Sequence, residues 1–137
     1  MSPRFLLDTN ICIYIRRKRP PEVLERFRTL KEGDAALSII TYGELVYGAR
    51  KSARSEEALR LLKELTGYLH VLPLPLDVAQ HYGSVRAGLE ARGQMIGGND
   101  LWIAAHALSL DLVLVTNNES EFSRVDGLKL ENWVAGD

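Results

Sequence analysis

The chain has 137 residues, enough for one domain with a substantial hydrophobic core, and we expect residues 1–137 to form a single domain. Hydrophobic residues make up 46% of the sequence, but no apolar run is long enough to cross a bilayer, so we expect no contact with a membrane. A net charge of −1 excludes overall cationic binding of nucleic acid, and Cys12, the one cysteine, cannot form an internal disulfide, which suits a reducing cytoplasm.

Strand-like and helix-like segments alternate along the chain with little linker between them. Short apolar runs bounded by turn residues predict strands at 4–7, 35–39, 71–74, 112–115 and 128–130. Apolar residues at helical spacing predict helices at 11–15, 22–31, 42–51, 56–65, 78–92 and 100–110. This alternation is typical of an α/β fold in which a central parallel sheet carries helices on both faces.

Four acidic residues stand at or beside the predicted junctions of strands and helices: Asp8, Glu44, Asp100 and Glu121. In parallel α/β sheets, ligands bind outside the carboxyl ends of the strands, and Asp8 and the polar segment 116–118 fall at such ends. Acids at the ends of buried elements are a common way for such a domain to build a divalent-metal site. The pattern therefore indicates metal-dependent phosphodiester chemistry.

Helix capping is the competing explanation for each acid taken alone. Asp8 precedes the first predicted helix and could cap it, although Asn10 could serve as the cap and leave Asp8 free. Thr41 and Glu44 have the spacing of a capping box, in which the glutamate accepts a hydrogen bond from the backbone amide of the cap residue. These residues alone leave both roles open for the first two acids.

The other two acids have similar alternatives. Asn99 is the expected cap of the helix that Asp100 enters, and the dipole of that helix stabilises an anion in its first turn. Glu121 fits a cap pattern after Asn118. A structural role is therefore an alternative for every acid of the set.

Taken together, the acids favour a cation site. At an effective dielectric constant near 20, two carboxylates about 4 Å apart repel by roughly 4 kcal/mol, and a divalent cation reverses that sign. Oxygen ligands without a cysteine or histidine cluster suit Mg²⁺ or Mn²⁺ rather than Zn²⁺. We expect His70, His81 and His106 to be structural or exposed; His106 follows Asp100 by six residues and faces away from it on a helix.

Five segments carry a family resemblance: LLDTN at 6–10, GELVYGA at 43–49, NDLWIAAHA at 99–107, LVTNNESEF at 114–122 and GLKLENW at 127–133. In this order they resemble the PIN-domain ribonucleases, and most of all the VapC toxins of bacterial type II toxin–antitoxin modules. The resemblance implies a three-layer α/β/α sandwich and an Mg²⁺- or Mn²⁺-dependent endoribonuclease.

The resemblance also implies roles for single residues. Asp8 and Asp100 match the metal ligands of the family, and Glu44 matches a third acid that orients the attacking water. Many members carry an aspartate where Asn118 stands, and Glu121 can supply the missing charge and complete the catalytic set. The supporting polar residues are expected to be Thr9, Asn10, Thr116 and Asn118. A cation in such a site acidifies water and polarises a phosphoryl oxygen, so hydrolysis is expected to leave a 5′-phosphate and a 3′-hydroxyl.

Three partners follow from the same resemblance. The first is an RNA substrate, expected to be tRNA or another structured RNA, and the second is a small cognate antitoxin whose tail blocks the acidic groove. The third is a second copy of the chain, with the apolar residues of the helices between 42 and 65 as the homodimer surface and core packing as the competing explanation. Trp102 is expected in the core or in an interface rather than stacked on a base.

Two basic groups are candidates for contact with the substrate. The first group is Arg16, Arg17, Lys18 and Arg19, and the second is Arg50, Lys51 and Arg54. Phosphate contacts there would make binding sensitive to salt. The alternative is that both groups are solvated helix ends, where cations complement the helix dipole.

Two other functions compete with the nuclease. A receiver-like phosphoacceptor domain has a similar alternation, but it expects an aspartate after strand three, where this chain has Pro73, Leu74 and Pro75. A non-catalytic PIN-like module that binds nucleic acid or another protein would be expected to lose the acids. Since three of the four expected carboxylates are intact, the sequence favours the enzyme.

Overall fold

A computed structural model describes residues 2–135 of the chain. Its strands are β1 (Phe5–Leu7), β2 (Ala35–Ser38), β3 (His70–Leu72), β4 (Val113–Val115) and β5 (Leu130–Glu131). Its helices are α1 (Thr9–Arg17), α2 (Pro21–Arg28), α3 (Ile39–Lys51), α4 (Ser55–Tyr68), α5 (Val78–Ala91), α6 (Gly98–Leu110) and α7 (Glu119–Phe122). In this part of the chain no helix has both the length and the apolar character needed to cross a membrane.

The strands form one parallel sheet in the order β3-β2-β1-β4-β5, which confirms the predicted architecture. β1 lies in the middle, where Phe5 pairs with Ala35 of β2 and with Val113 of β4. Because all strands run in the same direction, the carboxyl ends of β1, β2 and β4 lie side by side at one edge of the sheet. Asp8 is joined to β4 at that edge, since its amide donates to the carbonyl of Val115 at 3.0 Å.

The pleat of β1 sends alternate side chains to the two faces of the sheet. Phe5 and Leu7 pack with α1, α2 and α4 on one face, whereas Leu6 packs with α5, α6 and α7 on the other. All three side chains are buried, so the central strand has a hydrophobic core on each side. The result is the three-layer α/β/α sandwich that the resemblance implied.

The structure decides two helix caps that the sequence left open. Asp8, not Asn10, caps α1: its Oδ1 accepts a hydrogen bond from the Ile11 amide at 3.0 Å, and Asn10 already belongs to the helix. Ser38 caps α3 by accepting a hydrogen bond from the Ile40 amide at 3.0 Å, so the capping box expected at Thr41 does not form. The helix begins earlier than predicted because the chain turns into it directly from β2. Glu44 therefore lies within α3 and has no capping role there.

Boundaries near the carboxyl end of the chain also differ from prediction. The N-cap residue of α6 is Gly97, and no side chain caps this helix. The prediction that Asn99 is the cap is therefore wrong, because Asn99 lies inside the first turn. Asn118 occupies the N-cap position of α7, a helix that was not predicted, but its side chain forms no capping bond. The last strand was predicted at 128–130, but β5 spans Leu130–Glu131. It begins later because the chain first turns at Gly127, where a φ of 79° favours glycine.

Most apolar residues expected at a homodimer surface are used in the core instead. Leu45, Leu62 and Leu65 are buried against the sheet, so core packing accounts for them, while Tyr47 is 65% exposed. Trp102 is partly buried and stacks on Tyr82 between α6 and α5, with ring centroids 3.8 Å apart, which fits its expected packing role.

Candidate active site

Asp8 is held at the end of β1 by its own cap geometry. Its side chain is buried, and burial is the main reason why the pKa of this carboxyl is raised above its usual value. Hydrogen bonds from the Thr116 hydroxyl and from the amides of Ile11 and Asn10 oppose that shift, and the negative charge of Glu44 adds to it. The capping bond occupies Oδ1 of Asp8.

Glu44 projects from the second turn of α3 and is held by donors from two other helices. The hydroxyl of Thr9 in α1 donates to Oε1 at 2.5 Å, and the side-chain amide of Asn99 in α6 donates to Oε2 at 3.4 Å. Thr9 directly follows Asp8, and Asn99 directly precedes Asp100. The two donors therefore tie the position of Glu44 to both aspartates that the family resemblance assigns to the metal.

Asp100 lies in the first turn of α6 and meets the other three acids. Burial is the main cause that raises the pKa of Asp100, to about 6, followed by the negative charges of Glu121, Glu44 and Asp8. A hydrogen bond with Glu121 raises the pKa further. The other three predicted acids therefore all lie close enough to Asp100 to raise its pKa.

The carboxylate of Asp100 also lies close to Gly97. A Cβ built on Gly97 would stand 3.2 Å from Oδ2 of Asp100, closer than an ordinary van der Waals contact. The missing side chain therefore gives the carboxylate the space that it occupies. No sequence pattern pointed to Gly97, because the contact depends on how Asp100 turns back over the start of the helix.

Glu121 is positioned by the loop that follows β4. The side-chain amide of Asn118 donates to Oε2 of Glu121 at 2.8 Å, and the amide of Asn118 donates to Oγ1 of Thr116 at 2.9 Å. Thr116 in turn contacts Asp8. At the position where the resemblance led us to look for an aspartate, Asn118 is a donor that holds the neighbouring acid in place.

The remaining predicted residues fall outside the acid cluster. The side chain of Asn10 is exposed, and only its amide contributes to the Asp8 environment. Arg16 and Arg17 line a groove that starts at Thr9 and Glu44. Lys18 lines a neighbouring cavity against α2 and α4, which Arg16 also lines.

Two cations of the second basic group and one of the histidines are engaged elsewhere. Lys51 lies over the ring of Tyr47, at 5.8 Å, and Arg54 stands 4.0 Å from Glu57. His106 is buried, its Nδ1 lies 2.8 Å from Oγ of Ser38, and burial lowers its pKa. A structural role for His106 was expected and is confirmed.

The donor set fits a hard divalent cation. It consists of carboxylate oxygens whose mutual repulsion raises the pKa of Asp100, and a bound cation would reverse that repulsion. Within residues 2–135, no three His, Cys, Asp or Glu side chains stand at metal-coordinating distance from a common point. Asn99 is the supporting residue whose role was missed, because its partner Glu44 is 55 residues away in the sequence.

Comparison with known proteins agrees with the fold. Residues 5–128 match the PIN domain family model. Ribonuclease VapC2 of Haemophilus influenzae (strain Rd) is 44% identical over 131 residues, which cover 96% of this chain and 98% of the relative. The tRNA(fMet)-specific endonuclease VapC of Shigella flexneri is 42% identical over 130 residues, with 95% and 98% covered.

Solved structures give the same result. The VapBC2 complex of Rickettsia felis, bound to a DNA fragment from its promoter, contains a chain with a TM-score of 0.90 and 37% identity, covering 95% of this chain and 98% of that one. The DNA-bound VapBC of Salmonella typhimurium has a TM-score of 0.91 and 39% identity, with 97% and 100% covered. The chain belongs to the PIN domain family, and within it to the VapC ribonucleases.

Proposed function

We propose that this protein is the toxin of a type II toxin–antitoxin module, an endoribonuclease that hydrolyses phosphodiester bonds in RNA with Mg²⁺ or Mn²⁺. The observation that carries the metal requirement is the electrostatic coupling of Asp100 to Glu121, Glu44 and Asp8. Acids that raise one another's affinity for protons favour a bound cation near neutral pH, because the cation neutralises the same charge.

Each acid has a distinct role in this proposal. Asp8 and Asp100 hold the ion, which when bound acidifies water and polarises a phosphoryl oxygen. Glu44 orients the attacking water and can accept its proton at Oε2, the oxygen with the longer contact to Asn99. Glu121, held by Asn118, adds negative charge beside Asp100. Cleavage leaves a 3′-hydroxyl and a 5′-phosphate.

The relatives support the choice of substrate and partner. The Shigella flexneri relative is named for tRNA(fMet), and the structural neighbours from Rickettsia felis and Salmonella typhimurium are VapBC complexes. We therefore propose that the substrate is tRNA or another structured RNA and that a cognate antitoxin neutralises the enzyme. We also propose that the protein acts in the cytoplasm as a homodimer.

A non-catalytic PIN-like module remains the second candidate. It would bind RNA or a protein through the same fold without cleaving RNA. The retained acids and the donors that hold Glu44 favour the enzyme, since a binding module has no need for a water-orienting carboxylate. Metal-dependent cleavage is the property that separates the two.

The test is cleavage of bulk tRNA by the purified protein, freed of antitoxin, with and without Mg²⁺. We expect EDTA to abolish cleavage and added Mg²⁺ or Mn²⁺ to restore it. Asp8→Asn and Asp100→Asn should each lower the rate by at least about a hundredfold, because each removes a charge that holds the ion. The change is nearly isosteric, so both variants should remain folded.

Asp77→Asn is the matched control. Asp77 is an exposed aspartate at the start of α5 whose side chain forms no capping bond, so this variant should cleave like the wild type. Cleavage by the metal-free wild-type protein, or wild-type rates from the Asp8 or Asp100 variant, would contradict the proposed site.

A further inference from the structure

A groove of about 260 Å³ runs between α1 and α3 and begins at the acids. Its α1 wall starts at Thr9 and ends two helical turns later at Arg17. Its α3 wall includes Glu44 and Gly48, one helical turn apart on a single helix face, and it ends at Ser52, the C-cap residue of α3. Thr9 on one wall donates to Glu44 on the other at 2.5 Å, so this end of the groove lies at the acid cluster.

Positive charge marks the far end of this groove. Arg16 and Arg17 lie in the last turn of α1, roughly 10 Å along the helix axis from Thr9 at a rise of 1.5 Å per residue. Neither arginine forms an ion pair with an acidic side chain in the part of the chain that the structure describes. Their guanidinium groups are therefore available to a ligand.

Gly48 keeps the middle of the groove open. It lies in the interior of α3, where glycine makes a helix less stable than alanine does. A Cβ built on Gly48 would meet no atom within 4 Å, so packing inside the chain does not require a glycine here. The missing side chain leaves space along the groove wall between Glu44 and the arginines.

We propose that this groove binds the RNA strand next to the scissile bond, with Arg16 and Arg17 contacting phosphates beyond the one that is cleaved. Gly48 gives the strand room to pass. The inference rests on the proposed ribonuclease function and names the part of the protein that holds the substrate. The groove has a cation site at one end and two arginines at the other. This arrangement matches a chain with repeated phosphates, because arginine binds a phosphate group through two parallel donors.

Protein binding fits the groove less well. Ile13 and Leu45 line it, but Leu45 is buried and Ile13 is partly buried, so neither offers a large exposed anchor. The most exposed large apolar side chains, such as Tyr47 and Leu76, do not line it. Interfaces between proteins usually depend on such anchors, whereas phosphate contact needs only the charges and the space.

The first test measures RNA affinity without cleavage. A short fluorescent single-stranded RNA is titrated with the Asp8→Asn protein, with and without Arg16→Gln and Arg17→Gln together. We expect the double change to weaken binding about tenfold or more, and the slope of log affinity against log salt to fall in magnitude by about 1.4, for two lost phosphate contacts. This measurement does not depend on catalysis, so it remains decisive even if the cleavage proposal fails.

The matched control is Arg28→Gln. Arg28 is an exposed arginine in the last turn of α2, as Arg17 is in the last turn of α1, and it does not line the groove. The control removes a charge of the same kind from a similar helix end. It should therefore leave RNA affinity and its salt dependence close to those of the Asp8→Asn protein.

The second test uses Gly48→Gln in the otherwise unaltered protein. Glutamine favours a helix more than glycine does, so the melting temperature should rise by about 3 °C. The added side chain fills the groove, so KM for RNA should increase about tenfold while kcat changes little. A purely structural role for Gly48 cannot produce higher stability together with weaker RNA binding.

Two results would overturn the proposal. One is wild-type RNA affinity and salt dependence in the double arginine variant. The other is an unchanged KM in a Gly48→Gln protein that has become more stable. If the double variant still binds RNA normally but no longer copurifies with a coexpressed antitoxin, the groove is a protein-binding surface instead.

Discussion

Asp100 is the residue at which the electrostatics of the site can be measured directly. Its pKa is raised to about 6, so between about pH 4 and pH 6 the folded protein keeps a proton that the unfolded chain loses. The folded state then binds more protons than the unfolded state, and stability falls as pH rises through this window. The fall should be complete above pH 6 and absent below about pH 4.

Asp100→Asn should therefore melt at a higher temperature than the wild type at pH 7 in EDTA, by roughly 3 °C for each kcal/mol of repulsion relieved. At pH 4 the difference should vanish, because Asp100 is then largely protonated. Thermal melting at the two pH values checks this, with Asp77→Asn as the control. Added Mg²⁺ should stabilise the wild type more than the variant, and equal stabilisation of both would argue against a metal ligand at Asp100.

Glu44 and Glu121 differ in how they are held, and this difference predicts their importance. Glu44 has no capping role and receives donors on both oxygens, so Glu44→Gln should lower turnover by orders of magnitude with little change in melting temperature. Glu121→Gln should cause a smaller loss, because Asn118 has already reduced the charge at that corner of the site. Cleavage rates and melting curves of the two variants side by side decide the order, and a more damaged Glu121 variant would reverse it.

The start of α6 shows how a helix terminus can shape a site. Gly97→Ala should fit the ordinary backbone angles there, φ −58° and ψ 151°, but its Cβ would crowd the carboxylate of Asp100. We expect the Mg²⁺ concentration needed for half-maximal cleavage to rise about tenfold, with little change in stability.

Gly98→Ala is the control at the neighbouring position, because a Cβ on Gly98 meets no atom within 4 Å. Binding of Mn²⁺ followed by calorimetry gives a measure that is independent of cleavage. Equal Mn²⁺ affinity in the Gly97 and Gly98 variants would show that the close contact with Asp100 has no functional effect.

At the scale of the whole molecule, the proposed homodimer can be tested through its mass. Most apolar residues of α3 and α4 are used in the core, so a homodimer would have to use side chains that remain exposed, such as Tyr47 and Leu76. We expect light scattering at micromolar concentration to give the mass of a dimer, and the complex with antitoxin to contain two copies of this chain. A monomer in both experiments would reject the homodimer.

Local signals in the sequence determined the fold class and the candidate acids. The alternation of apolar runs predicted the parallel sheet, because burial on both faces of a central strand leaves an apolar run such as Phe5–Leu7. The position of Asp8 directly after such a run was also predictable, since the carboxyl ends of parallel strands share one edge. Asp100 could be recognised at the start of an apolar helix. These features depend on neighbours within a few residues.

Only the tertiary structure decided how each acid is held. Asp8 rather than Asn10 caps α1, and Ser38 rather than Thr41 caps α3, because the chain enters both helices directly from the sheet. The donors to Glu44 lie 35 and 55 residues away in sequence, and such pairings have no local signature. The groove beside Glu44 likewise exists only because α1 and α3 both start at one sheet edge, which brings distant side chains into a single surface.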